Sequence, residues 1–484
     1  MSLPPHAHDP HHPHDPHHAH IPHERWLSPL SFRYGTEAMR RLWSEVEKRK
    51  SWRRVWVALA RAQQRLGLVT PEEVADLESH VADIDVAAAE RIERDIKHDL
   101  VAELRVYASQ CPVGGRILHL GATSMDIEDN ADVSRIKASL DLIHDSLDAL
   151  LTLLRDRIIE LSSHATMGFT HLQPAEPTTL GYRFAQYAND LLDDAHALDH
   201  LLSHLRTKGM KGATGTSAGY VELLGSIEDA HTMERHVMEH LGLRPFDVAT
   251  QTYPRKQDLT VVNALASLGQ SLYRMAYDIR LLQSPVIGEL MEPFGKHQVG
   301  SSAMPFKQNP VAAENVDSLA RQLAALPRVA WDNAAHSHLE RTLDDSANRR
   351  SLLPEAFLLA DAILLRSREI IAGLTVEPAA SHRLLATYGV FAATEKVLME
   401  ATRLGGDRQA LHEVIREHAM VAWPLVKSGQ PNPLVDLMTS DPRLTNLLTP
   451  DRIRELLDAR THLGDAPQRA RAFAARIDSY LAHR

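Results

Sequence analysis

The stretch that decides the fold is ADVSRIKASLDLIHDSLDALLTLLRDRIIEL, residues 131–161. Its apolar side chains fall at Val133, Ile136, Leu140, Ile143, Leu147, Leu150, Leu154, Ile158 and Leu161, at every third or fourth position. On a helix that spacing makes one continuous apolar stripe, about 45 Å long at about 1.5 Å per residue. The pattern recurs at 180–205, through Phe184, Tyr187, Leu191, Leu198 and Leu202, and at 259–282, through Val262, Leu265, Leu268, Leu272, Met275 and Ile279. Two more stretches, 311–329 and 352–374, repeat it. Five long amphipathic helices predict an all-α protein with a central long-helix bundle, and helices of that length expose enough apolar surface to favour self-association.

Outward from this core the chain divides into a tail and three helical domains. Residues 1–23 carry nine histidines and six prolines, a composition that blocks helix and sheet, so 1–24 reads as a disordered tail. A helical pattern over 36–66, and Thr70-Pro71 as an N-cap with proline at the first helical position, mark an N-terminal helical domain at 25–119. The bundle occupies 120–375. From 376 to 484 the pattern shortens, with a break at Gln430-Pro431-Asn432-Pro433, and a C-terminal helical domain is expected there.

Bulk composition narrows the function classes. A formal charge of −10 argues against nucleic acid and anionic membranes as partners. No apolar run approaches the roughly 18 residues of a membrane span. Cys111 is the single cysteine, so no intrachain disulfide or cysteine-based zinc site can form, which fits a reducing cytoplasm. The chain contains no phosphate-binding P-loop, dinucleotide fingerprint, nucleophile elbow or His-Glu-x-x-His motif.

Chemistry in a long bundle sits at its ends, where polar, Gly-rich joints interrupt the helices. They lie at 120–124, 168–174, 211–216, 251–256 and 300–310. The last, Gly300-Ser301-Ser302-Ala303-Met304-Pro305-Phe306-Lys307-Gln308-Asn309-Pro310, joins two hydroxyls, a cation and an amide ahead of a helix whose first N–H groups suit an anion. Taken singly, His171 reads as a cap as well as an acid, and Arg94 to Asp99 as a solvated face as well as a site. His98 has Asp99 beside it to orient and charge an imidazole. Arg33, Lys97, Lys307, Arg341, Arg349 and Arg350 form a cationic set suited to a polyanion, since guanidinium forks match carboxylates and phosphates.

Three separated blocks, Gly121 to Ser124, Gly168 to Glu176 and Gly300 to Pro310, resemble those of the fumarase/aspartase superfamily, whose members release fumarate by β-elimination. Within it the chain is similar to the adenylosuccinate lyase family over roughly residues 25–480. The discriminating stretches are Ser28-Pro29-Leu30 with Arg33-Tyr34, Lys97-His98-Asp99, Gly168 to His171, Gln251-Thr252-Tyr253, and Glu340 through Arg350.

That resemblance implies three helical domains, a homotetramer whose active sites each draw on three subunits, and a reaction that needs no cofactor or metal. It implies Ser301 as general base, His171 as general acid and His98 as an assisting group. Thr123, Ser124, Gln251, Lys307 and Asn309 would hold the succinyl carboxylates, and Arg33, Tyr34, Arg341, Ser346 and Arg350 the phosphate and ribose. Lys97 and Asp99 belong to the same substrate-binding set. Gly300-Ser301-Ser302 would serve as a flexible lid. Two departures are visible: Lys97 stands where the family usually has arginine, and Gln308 where arginine is common. Competing readings are a lyase of the same chemistry acting on a nucleoside analogue, a catalytically silent scaffold, and a metal-dependent protein using the N-terminal histidines.

Overall fold

A computed structural model describes residues 25–484; the tail expected at 1–24 lies outside the described residues. The helical pattern over 36–66 is broken in two, α1 (Glu37–Leu42) and α2 (Glu45–Arg65). The cause is Ser44, whose hydroxyl accepts the Glu47 N–H and starts a new helix. Helix α3 (Asp99–Gln110) packs under α2, and their interface buries Trp52, Trp56, Tyr107 and Cys111. Glu103, with no exposed surface, is met by Arg53 Nε at 2.8 Å and Arg49 at 3.3 Å.

The stretch that defines the fold belongs to α4 (Ser124–Glu160), 37 residues long. It begins well before the apolar stripe because its first turns carry a polar face, and the Thr123 N–H donates to Asp126 Oδ2 at 3.0 Å. A hairpin of β1 (Ala165–Thr170) and β2 (Gln173–Thr179) leads to α5 (Leu180–His204). The bundle is completed by α6 (Lys256–Gln283), α7 (Val311–Ala335) and α8 (Asp344–Gly373). The stripe residues of α4 from Val133 to Ile158 are fully buried in one core shared with α5 to α8. Each contributes about 1.5–3 kcal/mol of apolar transfer. The architecture is all-α, with two small two-stranded sheets at helix joints among the described residues. Among the described residues no helix is long and apolar enough to cross a membrane.

Between Val390 and Leu457 a separate hydrophobic cluster forms around Val397, Leu411, Met438 and Ile453. The last helix, α9 (Ala466–Ala482), leaves that cluster and buries Ala470, Ala474 and Ile477 in the central core. A polar latch holds its end. His144, buried on α4, sits 2.8 Å from Asp199 and 3.3 Å from Asp148. Tyr480 donates to Asp199 at 3.0 Å, and Arg484 to Asp148 at 2.9 Å. Burial would lower the His144 pKa, but the Asp148 and Asp199 carboxylates outweigh it and raise it. A raised folded pKa gives stability that is full below the unfolded value near 6.5 and is lost as pH rises through the folded one. His144→Leu is therefore expected to cost about 1–3 kcal/mol. Denaturant titrations should show the gap from wild type largest near pH 5.5 and shrinking in mildly alkaline buffer.

Candidate active site

Asp126 anchors the first site segment. Its carboxylate accepts the N–H groups of Lys211 (3.2 Å) and Gly212 (3.1 Å), the Tyr220 hydroxyl (3.1 Å) and the Lys208 ammonium (2.5 Å). The joint at 208–220 is thereby bolted to the start of α4. Gly121, at φ +78°, passes so close to Tyr220 that a Cβ would lie 2.9 Å from its ring. A side chain there forces Tyr220 or the backbone ahead of Thr123 to shift.

Ser124 Oγ lies 3.4 Å from His98 Nε2, and His98 Nδ1 lies 3.8 Å from Asp99 Oδ1. Asp99 also accepts from Arg350 at 2.9 Å. His98 stands between two helices because Lys97 adopts φ 58°, ending one helix so that α3 can start at Asp99. Lys97 is exposed, and its ammonium donates to the Arg94 carbonyl. Behind His98 sits His119, at φ 67°, whose Nδ1 accepts the Trp56 indole N–H at 3.2 Å. Burial lowers its pKa against the pull of Asp126, and neighbouring His98 lowers it further, which favours a neutral ring.

The segment 340–350 stands on a buried charge network. Arg255 donates to Asp129 at 3.0 Å and to Asp345 at 2.6 Å, and Arg341 reaches the other Asp345 oxygen at 2.8 Å. Burial would raise the Asp345 carboxyl, but Arg255 and Arg341 hold it below the usual range. Arg349 is also buried, donating to Asp258 at 2.8 Å and to the Tyr253 hydroxyl at 2.9 Å. It belongs to the platform, whereas Arg350, one residue on, is exposed. Gln251 joins this segment through its N–H, which donates to the Glu340 carbonyl at 3.1 Å.

The loop 300–310 folds on itself. Ser301 Oγ accepts the N–H of Met304 at 3.1 Å and of Ala303 at 3.4 Å, the arrangement that stabilises negative charge on a hydroxyl oxygen. Asn309 Nδ2 donates to the Gly300 carbonyl at 2.9 Å. A Cβ on Gly300 would collide with the Lys307 carbonyl, so glycine is required by close approach as well as by any motion. The helix end expected to offer its N–H groups to a bound anion is already occupied. Glu292 accepts from Ala312 at 2.9 Å and Ala313 at 3.0 Å.

His171 lies on a hairpin tip, not at a helix entrance. Thr170 pairs with Gln173, and His171 (φ 55°) with Leu172 (φ 57°) forms the two-residue turn. Both central residues of such a turn need positive φ, a demand glycine and asparagine meet without strain. Here the turn holds a histidine and a leucine, both exposed, at a cost in backbone strain.

Comparison with known proteins bears on this arrangement. A family described as Lyase matches residues 29–324, and one described as adenylosuccinate lyase C-terminus matches 391–473. The chain is 36% identical to the adenylosuccinate lyase of Saccharomyces cerevisiae over 457 residues, covering 93% of this chain and 94% of the yeast protein. It is 33% identical to that of Archaeoglobus fulgidus over 453 residues, covering 94% and 99%. The chain belongs to the adenylosuccinate lyase family. Its fold is shared by solved structures. A fumarate lyase from Mesorhizobium sp. BNC1 superposes with a TM-score of 0.79 at 24% identity, covering 93% of this chain and 98% of the other. The 3-carboxy-cis,cis-muconate lactonizing enzyme of Pseudomonas putida gives 0.82 at 25% identity, covering 93% and 99%.

As a member of the adenylosuccinate lyase family the chain is a carbon–nitrogen lyase. Within one chain its expected site residues fall into separate groups. His98, Asp99, Ser124 and Arg350 are linked directly, with Thr123 next to Ser124, and Arg341, Ser346, Asp99 and Arg350 line one cavity. Ser301, Lys307 and Asn309 stay on their own loop, and His171 on its hairpin. Arg33 lies over the Tyr34 ring at 5.8 Å, and Tyr34 packs on the central core. Among the described residues no hydrogen bond or ion pair joins the Ser301 loop or His171 to the His98–Arg350 group. Sequence reasoning missed Asp126, His119 and the Asp129–Arg255–Asp345 chain, since a lone carboxylate or histidine carries no spacing signal. Their nearness to the 121–124 and 251–256 joints was the one available clue.

Proposed function

We propose that the enzyme cleaves adenylosuccinate to AMP and fumarate, and succinyl-aminoimidazole carboxamide ribotide to its carboxamide and fumarate, as a cytoplasmic homotetramer. The observation that carries this reading is the junction of Ser124, His98, Asp99 and Arg350, which sets a polar carboxylate pocket beside a cationic clamp. A succinyl group joined to a nucleotide has its charges in that order. Ser301 and His171, each on its own segment and unlinked to this junction within the chain, are supplied to it by other subunits.

In the reaction Ser301, as alkoxide, takes the proton from the succinyl Cβ. Removing a proton next to a carboxylate piles charge on an anionic group, so the intermediate needs fixed donors. Thr123, Ser124, Gln251, Asn309 and the Lys307 ammonium provide them, each such donor being worth about 3 kcal/mol in a water-excluding site. The electron pair then forms the C=C bond as the C–N bond breaks, and protonated His171 gives its proton to the leaving nitrogen. His98 orients the substrate with Asp99 behind it, while Arg33, Tyr34, Lys97, Arg341, Ser346 and Arg350 hold ribose and phosphate.

Fumarate release followed by ultraviolet absorbance on each substrate tests this. Both are expected to turn over in metal-free buffer containing a chelator. Absence of turnover of adenylosuccinate would overturn the assignment.

A further inference from the structure

Glu128, one turn beyond Ser124 on α4, lines a cavity of about 100 Å³ between α2, α4 and α8. That space has room for a phosphoryl-sized group. Arg341, Ser346 and Arg350 reach its wall, as does Asp99.

The charges around it balance. Glu45 and Lys48 face the cavity from α2, and Asp99 from the start of α3. Asp132 and Arg135 join Glu128 on α4, while Arg341, Asp345, Arg349 and Arg350 come from α8 and the segment before it. Nearly all are engaged: Lys48 with Glu45 at 2.7 Å, Arg341 with Asp345 at 2.8 Å, Arg350 with Asp99 at 2.9 Å and Arg349 with Asp132 at 3.3 Å. Glu128 makes no hydrogen bond or ion pair among the described residues, although it is half-buried. An ionised Glu128 therefore has no cation of its own. A phosphate dianion entering an electroneutral cavity has none to spare either.

One proton relieves both. We propose that Glu128 is a positioning residue for the nucleotide phosphate, holding a proton when Arg341, Ser346 and Arg350 engage that phosphate and donating it to a phosphate oxygen. This rests on the reading of those three residues as the phosphate clamp. The free protein is already poised for it: burial first, then the carboxylates of Asp99, Asp132 and Asp129, push Glu128 up to about 8, against the opposing pull of Arg350. A bound dianion adds further like charge and raises it more. Affinity is then full below pH 8 and falls as pH rises through that value, because the proton must be recovered from solution. The phosphate's own titration, near pH 6, is complete by then.

The test is calorimetric titration of the intact protein with AMP at pH 8 in two buffers of different ionisation enthalpy, with affinities followed from pH 7 to 9.5. Wild type is expected to take up about half a proton at pH 8, with Kd rising toward tenfold per pH unit above it. E128Q keeps a donor that does not titrate, so its Kd should be flat over this range with no proton uptake. Absence of uptake in wild type, or equal uptake in E128Q, would overturn the role of Glu128. Failure of AMP to bind at any pH would overturn the phosphate clamp itself, and the inference with it.

Discussion

Ser301→Ala is expected to lose about a hundred- to ten-thousand-fold in fumarate release, while circular dichroism and assembly mass match the native protein. Ser301 is half-buried on a loop whose shape is set by Gly300, Asn309 and Lys307. Its hydroxyl accepts two backbone N–H groups, and those donors remain when the oxygen is removed. The loop therefore keeps much of its form and loses the atom that takes the proton. Loss of kcat with KM little changed would mark an interaction made in the transition state. An active Ser301→Ala enzyme would refute the assigned base.

Arg255→Ala should produce the largest loss of stability, about 3–5 kcal/mol. Arg255 is buried between the buried carboxylates of Asp129 and Asp345, and removing it leaves Asp129 without its ion-pair partner and Asp345 with Arg341 alone, where water does not reach. The effect extends to the site, since Asp345 also holds Arg341. Lysine at this position keeps the charge but cannot reach both carboxylates with a planar fork, so Arg255→Lys is expected to recover only part of the loss. Denaturant unfolding of the two variants against wild type measures both effects. A midpoint for Arg255→Ala equal to that of wild type would contradict the structural role of the network.

The five bundle helices were legible because burial along them is periodic: every stripe residue from Val133 to Ile158 is in the core. The start of α4 was not, because Asp126, Asp129 and Asn130 are buried by charge and hydrogen bonding, and a hydropathy pattern treats them as surface. The hairpin at 165–179 escaped for a related reason. Its turn uses His171 and Leu172 where glycine or asparagine would announce it. The 300–310 loop was recognisable from its residue types, yet its glycine proved to be a matter of close packing against Lys307 as well as of freedom. Glu292, which caps α7, lies outside the loop and gave no sign of its role.

The central claim is that Ser301 and His171, separate within one chain, meet at a site assembled from several chains. Mixing inactive Ser301→Ala and His171→Ala proteins under conditions that exchange subunits, then assaying fumarate release from adenylosuccinate, tests it most directly. Mixed assemblies contain sites that receive an intact serine from one variant and an intact histidine from the other, so activity absent from either protein alone is expected to appear. A mixture with demonstrated subunit exchange that stays as inactive as its parents would contradict the account.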